Sequence, residues 1–266
     1  MTAFRLELAY DGAPFAGWAA QPGFRTVQGE VEAAIERTLS GRAGRLTAAG
    51  RTDAGVHARA QVASFELGGA PPDGLRERLN AVLPREIVVL SAEAAPEGFD
   101  ARRWARSRTY RYRVLASRVR NPFEEGRALW WPHRLDRDAL ATCAGAVVGV
   151  HDFTAFTPTQ TEHVRFERNV IEARWEPEPA AHGDMLAFLI EADAFMRNMV
   201  RVMVGTMLEV GRGRRSAEGF RELLDGAPRG QAGETAPAHG LYLERVTFGD
   251  GPLGEPQAGG RRPAGL

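Results

Sequence analysis

Apolar residues recur along this chain in two rhythms, and the switches between them outline its elements. Phe4-Arg5-Leu6-Glu7-Leu8 alternates and predicts a strand from about Phe4 to Tyr10, whereas Val27, Val31, Ile35 and Leu39 recur at helical spacing. Short apolar runs in Arg45–Ala49 and Gln61–Phe65 read as strands, followed by a helix through Leu75, Leu79 and Leu83 and a strand in Ile87–Leu90. Tyr110-Arg111-Tyr112-Arg113-Val114 restores the period of two, and a helix is expected around Leu140 to Val147. Strands are expected in Asn169–Trp175 and Leu186–Glu191. An amphipathic helix over Ala194–Val210 carries Met196, Met199, Val200, Met203, Val204 and Met207, and Leu241–Phe248 reads as a closing strand.

This alternation predicts an α+β protein built as two halves that join their sheets, with residues 1–104 and 105–248 as the two units. Residues 249–266 are rich in Gly, Pro and Arg without apolar period and read as a flexible tail. A length of 266 residues suits two domains with adequate cores. The chain enters its first strand without an apolar leader, and no apolar run reaches membrane-spanning length, so a cytoplasmic location is expected.

The run Gly50-Arg51-Thr52-Asp53-Ala54-Gly55-Val56-His57-Ala58 places a carboxylate on a glycine-bounded loop between two strands. The glycines open backbone conformations closed to other residues, which lets a substrate backbone come close and makes Asp53 the leading catalytic candidate. A turn held by local side-chain hydrogen bonds is the competing reading of the same residues. Spacing alone does not say whether Arg51 and His57 turn toward the same cavity.

Composition narrows the chemistry. All 34 positive side chains are arginine, so no lysine Schiff base can form, while guanidinium groups suit bidentate phosphate contacts and stacking on bases. The single cysteine, Cys143, lies in an apolar stretch and reads as buried, which excludes an intrachain disulfide and a thiolate metal cluster. No histidine spacing forms a zinc motif, and His151-Asp152-Phe153 reads as a loop anchor. No glycine-rich phosphate loop is present, and neither cofactor nor metal is expected.

Net charge is zero, yet the arginines cluster: eight fall between Arg102 and Arg120 with no acidic residue among them. Such a local excess suits a polyanion. Strand alternation there puts Tyr110, Tyr112 and Val114 on one face and Arg111 with Arg113 on the other, facing solvent or phosphate, which leaves either tyrosine to line a cleft or to fill a core. Arg197 and Arg201 stand four apart on the expected methionine-rich helix, and a buried Arg201 needs an anionic partner, for which Asp53 is the candidate.

From Tyr10 to Phe248 the chain resembles the TruA family of tRNA pseudouridine synthases. The matching motifs are Tyr10-Asp11-Gly12 with Phe15, Gly17 and Trp18; Thr26-Val27-Gln28-Gly29; the Gly50–Ala58 loop; Phe99-Asp100-Ala101-Arg102; and Tyr110-Arg111-Tyr112. They continue through His151-Asp152-Phe153, Phe195 with Met199-Val200-Arg201, Gly205, Val210-Gly211 and Ala236-Pro237-Ala238-His239-Gly240-Leu241. Ala19 and Pro14 depart from the residues usual at their positions.

The resemblance implies two ferredoxin-like halves with a joined, mainly antiparallel sheet and a catalytic cleft between them. It also implies a homodimer that grips tRNA and converts uridine to pseudouridine at positions 38, 39 and 40, without cofactor or metal. By the same resemblance Asp53 is the catalytic aspartate and Tyr110 the stacking tyrosine. Arg201 is the partner of the aspartate, Arg51 the arginine that helps extrude the nucleotide, and Leu241 an apolar residue beside the pocket. A non-catalytic RNA-binding module would bind RNA without isomerising it, and a glycosidic-bond hydrolase would release a free base. The hydrolase reading is weakened by the single carboxylate in the motif.

Overall fold

The computed structural model describes residues 1–161, 164–180 and 183–252. Its first strand, β1 (Thr2–Tyr10), buries Phe4, Leu6, Leu8 and Tyr10 while Arg5 and Glu7 look the other way. Helix α1 (Val27–Leu39) starts where the Thr26 hydroxyl accepts the Gly29 N–H at 3.3 Å. It buries Val27, Val31, Ile35 and Leu39, the four residues whose spacing predicted it. Next come β2 (Thr47–Ala48), β3 (His57–Leu67), α2 (Leu75–Val82) and β4 (Ile87–Ala94). Asp100 accepts the Arg102 and Arg103 N–H groups and caps the single turn α3 (Ala101–Trp104), which leads directly into β5 (Ala105–Ala116).

The remainder runs β6 (Leu129–Trp131), α4 (Arg137–Ala146), β7 (Gly149–Asp152), β8 (Glu167–Glu178), β9 (Asp184–Ala192), α5 (Met199–Gly211), α6 (Ala217–Arg221) and β10 (Leu241–Phe248). The architecture is α+β. One ten-stranded sheet runs in the order β4-β1-β3-β10-β5-β9-β8-β7, with β2 on β3 and β6 on β5 off that path. Most pairs are antiparallel. The exceptions are β5 with β6 and the seam at which the last strand joins the early ones, where β10 runs parallel to β3 through Tyr242↔His57 and Leu243↔Ala58. On its other side β10 pairs antiparallel with β5, setting Leu241 opposite Tyr112 and Leu243 opposite Tyr110.

Several expectations need correction. The strand ahead of Asp53 has two residues instead of five, because Arg45 is exposed and the chain regains the sheet only at Thr47. The strand after it begins at His57, four residues early, because β10 supplies a partner for His57 and Ala58. Helix α5 begins at Met199 and not at Ala194, since Asn198 takes a left-handed conformation (φ 61°) that interrupts the helix. Arg197 therefore precedes the helix, exposed, and does not share a helical face with Arg201. The loop-anchor expectation for His151-Asp152-Phe153 holds: Asp152, at the end of β7, accepts from the Thr154 N–H and hydroxyl. Of the expected tail, residues 253–266 lie outside the described residues, and Arg106 holds the carbonyl of Gly251 at 2.9 Å.

The α5 pattern is also more apolar than an amphipathic surface helix. Its only partly exposed positions are Arg201, Gly205 and Glu209, a narrow stripe with a spacing of four. The segment Gly233–Ala236 roofs that stripe: a Cβ on Gly205 would sit 1.9 Å from the Glu234 carbonyl oxygen, and Arg201 bonds the Ala236 carbonyl. Cys143 is buried, and burial pushes its thiol up to about 11, which leaves it an inert filler.

Candidate active site

The loop carrying Asp53 is fixed from both sides before its carboxylate meets any partner. Gly17 (φ 99°) approaches so closely that a Cβ there would lie 2.9 Å from the Thr52 oxygen, and the Trp18 N–H donates to that same oxygen at 3.0 Å. Phe15 accepts from Gly55 and Asp53 accepts from Val56 through their backbones, which closes the turn. At its start, Gln61 donates to the Gly50 carbonyl at 2.9 Å and to the Tyr10 hydroxyl, which itself lies 2.8 Å from the Thr52 hydroxyl.

Arg108 secures the same loop start from the other half of the sheet. Its guanidinium donates to the Ala49 carbonyl from two nitrogens and to the Asp193 carbonyl at 2.9 Å. One half-buried cation thus ties the approach to Asp53 to the approach to Asn198, and its partial burial lowers its pKa. Nothing in the spacing distinguished Arg108 from its neighbours, because its role comes from carbonyls far away in the chain.

The Asp53 carboxylate projects toward the start of α5. Asn198 donates its backbone N–H to Oδ2 at 3.3 Å, and the Arg201 guanidinium stands 3.7 Å from that oxygen. Arg201 is held by the Ala236 carbonyl at 2.8 Å and the Asn198 side-chain oxygen at 3.0 Å. A guanidinium, an aligned N–H and a helix N-terminus all favour negative charge at this point. The side chains remain 28% and 17% exposed, so the pair is reachable from solvent. Asn198 was missed in the sequence, although an Asn just ahead of an apolar helical run is a recognisable helix-start signal.

Tyr110 lies beside this pair. Burial pushes its phenol well above the ordinary value, and the nearby Tyr10 and Asp53 push in the same direction, so the ring stays neutral. It meets the Phe195 ring edge-on at 4.9 Å, and its hydroxyl has no hydrogen-bond partner among the described residues. Tyr112 is buried too, at 0% against 7% for Tyr110, and donates to the Pro237 carbonyl at 2.8 Å. Leu241 is buried in β10 opposite Tyr112. Arg51 is exposed on the loop with no carboxylate within 4.0 Å among the described residues, while His57 turns away from Asp53 into the interior.

The expectation that Arg111 and Arg113 face solvent or phosphate is overturned. Arg111 pairs with Glu178 at 2.6 Å and Glu244 at 3.1 Å, and Arg113 pairs with Glu178 and Glu124, each at 2.7 Å. Burial alone would raise Glu178, yet the two guanidinium groups outweigh it and hold the carboxyl below its ordinary range. These arginines hold the sheet face together; the partners come from β8, β10 and the loop holding Glu124, which only the fold brings alongside. Arg102, Arg103, Arg118 and Arg120 remain exposed. Among the described residues, no group of three or more His, Cys, Asp or Glu is placed to hold a metal ion. No helix there is long and apolar enough to cross a membrane.

Residues 8–102 and 143–249 match the family model described as tRNA pseudouridine synthase. A protein of Geobacillus sp. strain WCH70 named tRNA pseudouridine synthase A is 40% identical over 245 residues, covering 92% of this chain and 97% of its own. Proteins of the same name from Frankia casuarinae and Myxococcus xanthus are 45% identical over 248 residues and 40% over 257. Those alignments take in 92% and 95% of this chain, and 88% and 94% of the relatives. With a family model spanning both sides of the Asp53–Arg201 pair and relatives aligned nearly end to end, the chain belongs to the tRNA pseudouridine synthase family.

Proposed function

We propose that this protein isomerises uridine to pseudouridine in the anticodon arm of tRNA, at positions 38, 39 and 40, with Asp53 as its catalytic residue. The observation that carries the reading is the Asp53 carboxylate, partly exposed and held between the Asn198 N–H and the Arg201 guanidinium at the start of α5.

The reaction conserves every atom of the substrate. The bond from C1′ to N1 breaks, the uracil turns, C1′ bonds to C5, and the proton on C5 leaves as N1 regains one. Asp53 opens the sequence as an anion, whether it attacks the sugar or removes a proton to start elimination, and Arg201 keeps the carboxylate aimed. Because the base must leave its stack to reach a side chain at the floor of a cleft, something must retain it after the glycosidic bond breaks. Tyr110 is suited to that, with a neutral ring braced by Phe195. Arg51, exposed on the Asp53 loop, is assigned to extruding the nucleotide, and Leu241 to the apolar wall of the pocket. Residues 1–104 and 105–248 are read as two units with the cleft between them, working as a cytoplasmic homodimer on one tRNA.

The test is to incubate the protein with tRNA carrying uridines in the anticodon arm, without added cofactor, and map pseudouridine nucleotide by nucleotide beside Asp53→Ala. Product confined to positions 38 to 40, and lost in the variant while tRNA binding persists, is the expected result. Binding without product would favour a non-catalytic module, and a released base would favour a hydrolase.

A further inference from the structure

His57 is 2% exposed, and both of its ring nitrogens are engaged by backbone from three separate segments. Nδ1 lies 3.1 Å from the Gly12 N–H donor and 3.1 Å from Oδ1 of Asp11. Nε2 lies 3.1 Å from the His239 carbonyl and 3.2 Å from the Gly126 carbonyl. The ring stacks on Tyr242 at 4.7 Å, with Arg59 on the same tyrosine at 5.2 Å.

These partners select one form of the ring. Two carbonyls at Nε2 demand a proton there, and the Gly12 N–H demands a lone pair at Nδ1. The neutral imidazole protonated on Nε2 meets both demands. The opposite tautomer would aim a lone pair at two carbonyl oxygens, and the doubly protonated ring would aim a second N–H at that of Gly12. Asp11 does not require the proton: its Oδ1 accepts the Ala13 N–H at 3.0 Å, and Arg127 stands 3.9 Å from Oδ2.

The ring's hold on Gly12 reaches Asp53 through backbone alone. A Cβ on Gly12 would lie 1.9 Å from the Val56 oxygen, so Gly12 and Val56 are jammed together, and the Val56 N–H donates to the Asp53 carbonyl at 3.1 Å. We propose that His57 is a positioning residue for the Asp53 loop, active as the neutral ring protonated on Nε2, and that a second proton, drawn to Asp11, frees Gly12 and slows the reaction at acid pH. This rests on the isomerase reading of Asp53. Burial, which lowers the pKa of His57, outweighs the pull of Asp11, and Arg127 adds to the lowering, so the slowing sets in below the ordinary histidine value.

The experiment pairs single-turnover rates and tRNA affinity across acid and neutral pH with imidazole nitrogen NMR shifts of the free protein. The variants are His57→Asn, whose amide oxygen still accepts from Gly12 and does not titrate, and His57→Phe, which keeps the stack alone. The expected spectrum is the tautomer protonated on Nε2, titrating below the ordinary value. Wild-type rates should fall with that titration, and His57→Asn should lack the fall. In His57→Phe the rate should drop by about 100-fold with tRNA affinity unchanged. A tautomer protonated on Nδ1, or an acid fall unchanged in His57→Asn, overturns the proposal. Should wild type form no pseudouridine at any pH, the isomerase reading fails and the rate proposal with it, while the NMR titration still decides the ring's form.

Discussion

Asn198 gives its backbone N–H to the Asp53 carboxylate at 3.3 Å while its side-chain oxygen accepts from Arg201 at 3.0 Å, so one residue orders both members of the ion pair. Its backbone is left-handed (φ 61°), a conformation that Asn tolerates and that turns the N–H toward Asp53.

Asn198→Gly should therefore keep the turn and the N–H and lose only the side-chain bond to Arg201. Asn198→Ala loses that bond and adds about 1 kcal/mol of backbone strain. Denaturant unfolding should rank wild type and Gly above Ala, and single-turnover rates should follow the same order. An Ala variant as active as the Gly variant would show that the turn does not set the aim of Asp53.

Gly205→Ala gives a second test, because two effects oppose each other. In an exposed helix interior the change would stabilise by about 1 kcal/mol. Here the new methyl would sit 1.9 Å from the Glu234 oxygen, a backbone atom that must move. Overpacking of this kind costs about 1–3 kcal/mol, so net destabilisation is expected. Displacing residues 234–236 also loosens the Ala236 carbonyl from Arg201, and the rate should fall more than tRNA affinity does.

Tyr110→Phe should leave stability within about 0.5 kcal/mol of wild type, since the hydroxyl has no partner among the described residues to lose. Tyr110→Ala should weaken retention of the base by about 1–3 kcal/mol, the usual worth of an aromatic stack, and slow turnover accordingly. A marked rate loss in the Phe variant at unchanged stability would assign the hydroxyl to the chemistry.

Alkaline stability should carry the mark of the buried phenols. Burial raises Tyr10 to about 12, against the bonds from Thr52 and Gln61, and raises Tyr110 and Tyr112 further. The unfolded chain ionises near 10. The contribution is therefore complete below that pH and is lost as pH rises through the folded value. Thermal midpoints should drop steeply above pH 10, and less steeply in Tyr10→Phe.

The elements were legible wherever periodicity and burial agreed, as in α1, whose four spaced apolar residues are all buried. Asp53 was legible as a glycine-bounded carboxylate, and Arg201 as a cation in need of an anion. What escaped was set by partners that only the folded sheet brings together. The strand expected from Gln61 begins at His57 because β10 completes it, and Arg111 and Arg113 turn from solvent because carboxylates arrive from β8, β10 and the loop holding Glu124. Helix α5 starts at Met199 and not at Ala194 because Asn198 is left-handed, and the local sign of that start is the Asn itself, just ahead of the apolar helical run.

The parallel seam between β3 and β10 bears on how the molecule is made. Through Tyr242↔His57 and Leu243↔Ala58, the last of the described strands joins β4, β1 and β3 to the rest of the sheet. A nascent chain that has already released Asp53, Tyr110 and Arg201 from the ribosome still lacks the strip on which its two groups of strands meet. Joining of the two sides of the sheet thus waits for synthesis of Leu241–Phe248, and chains cut short before Leu241 lack the strand that unites them.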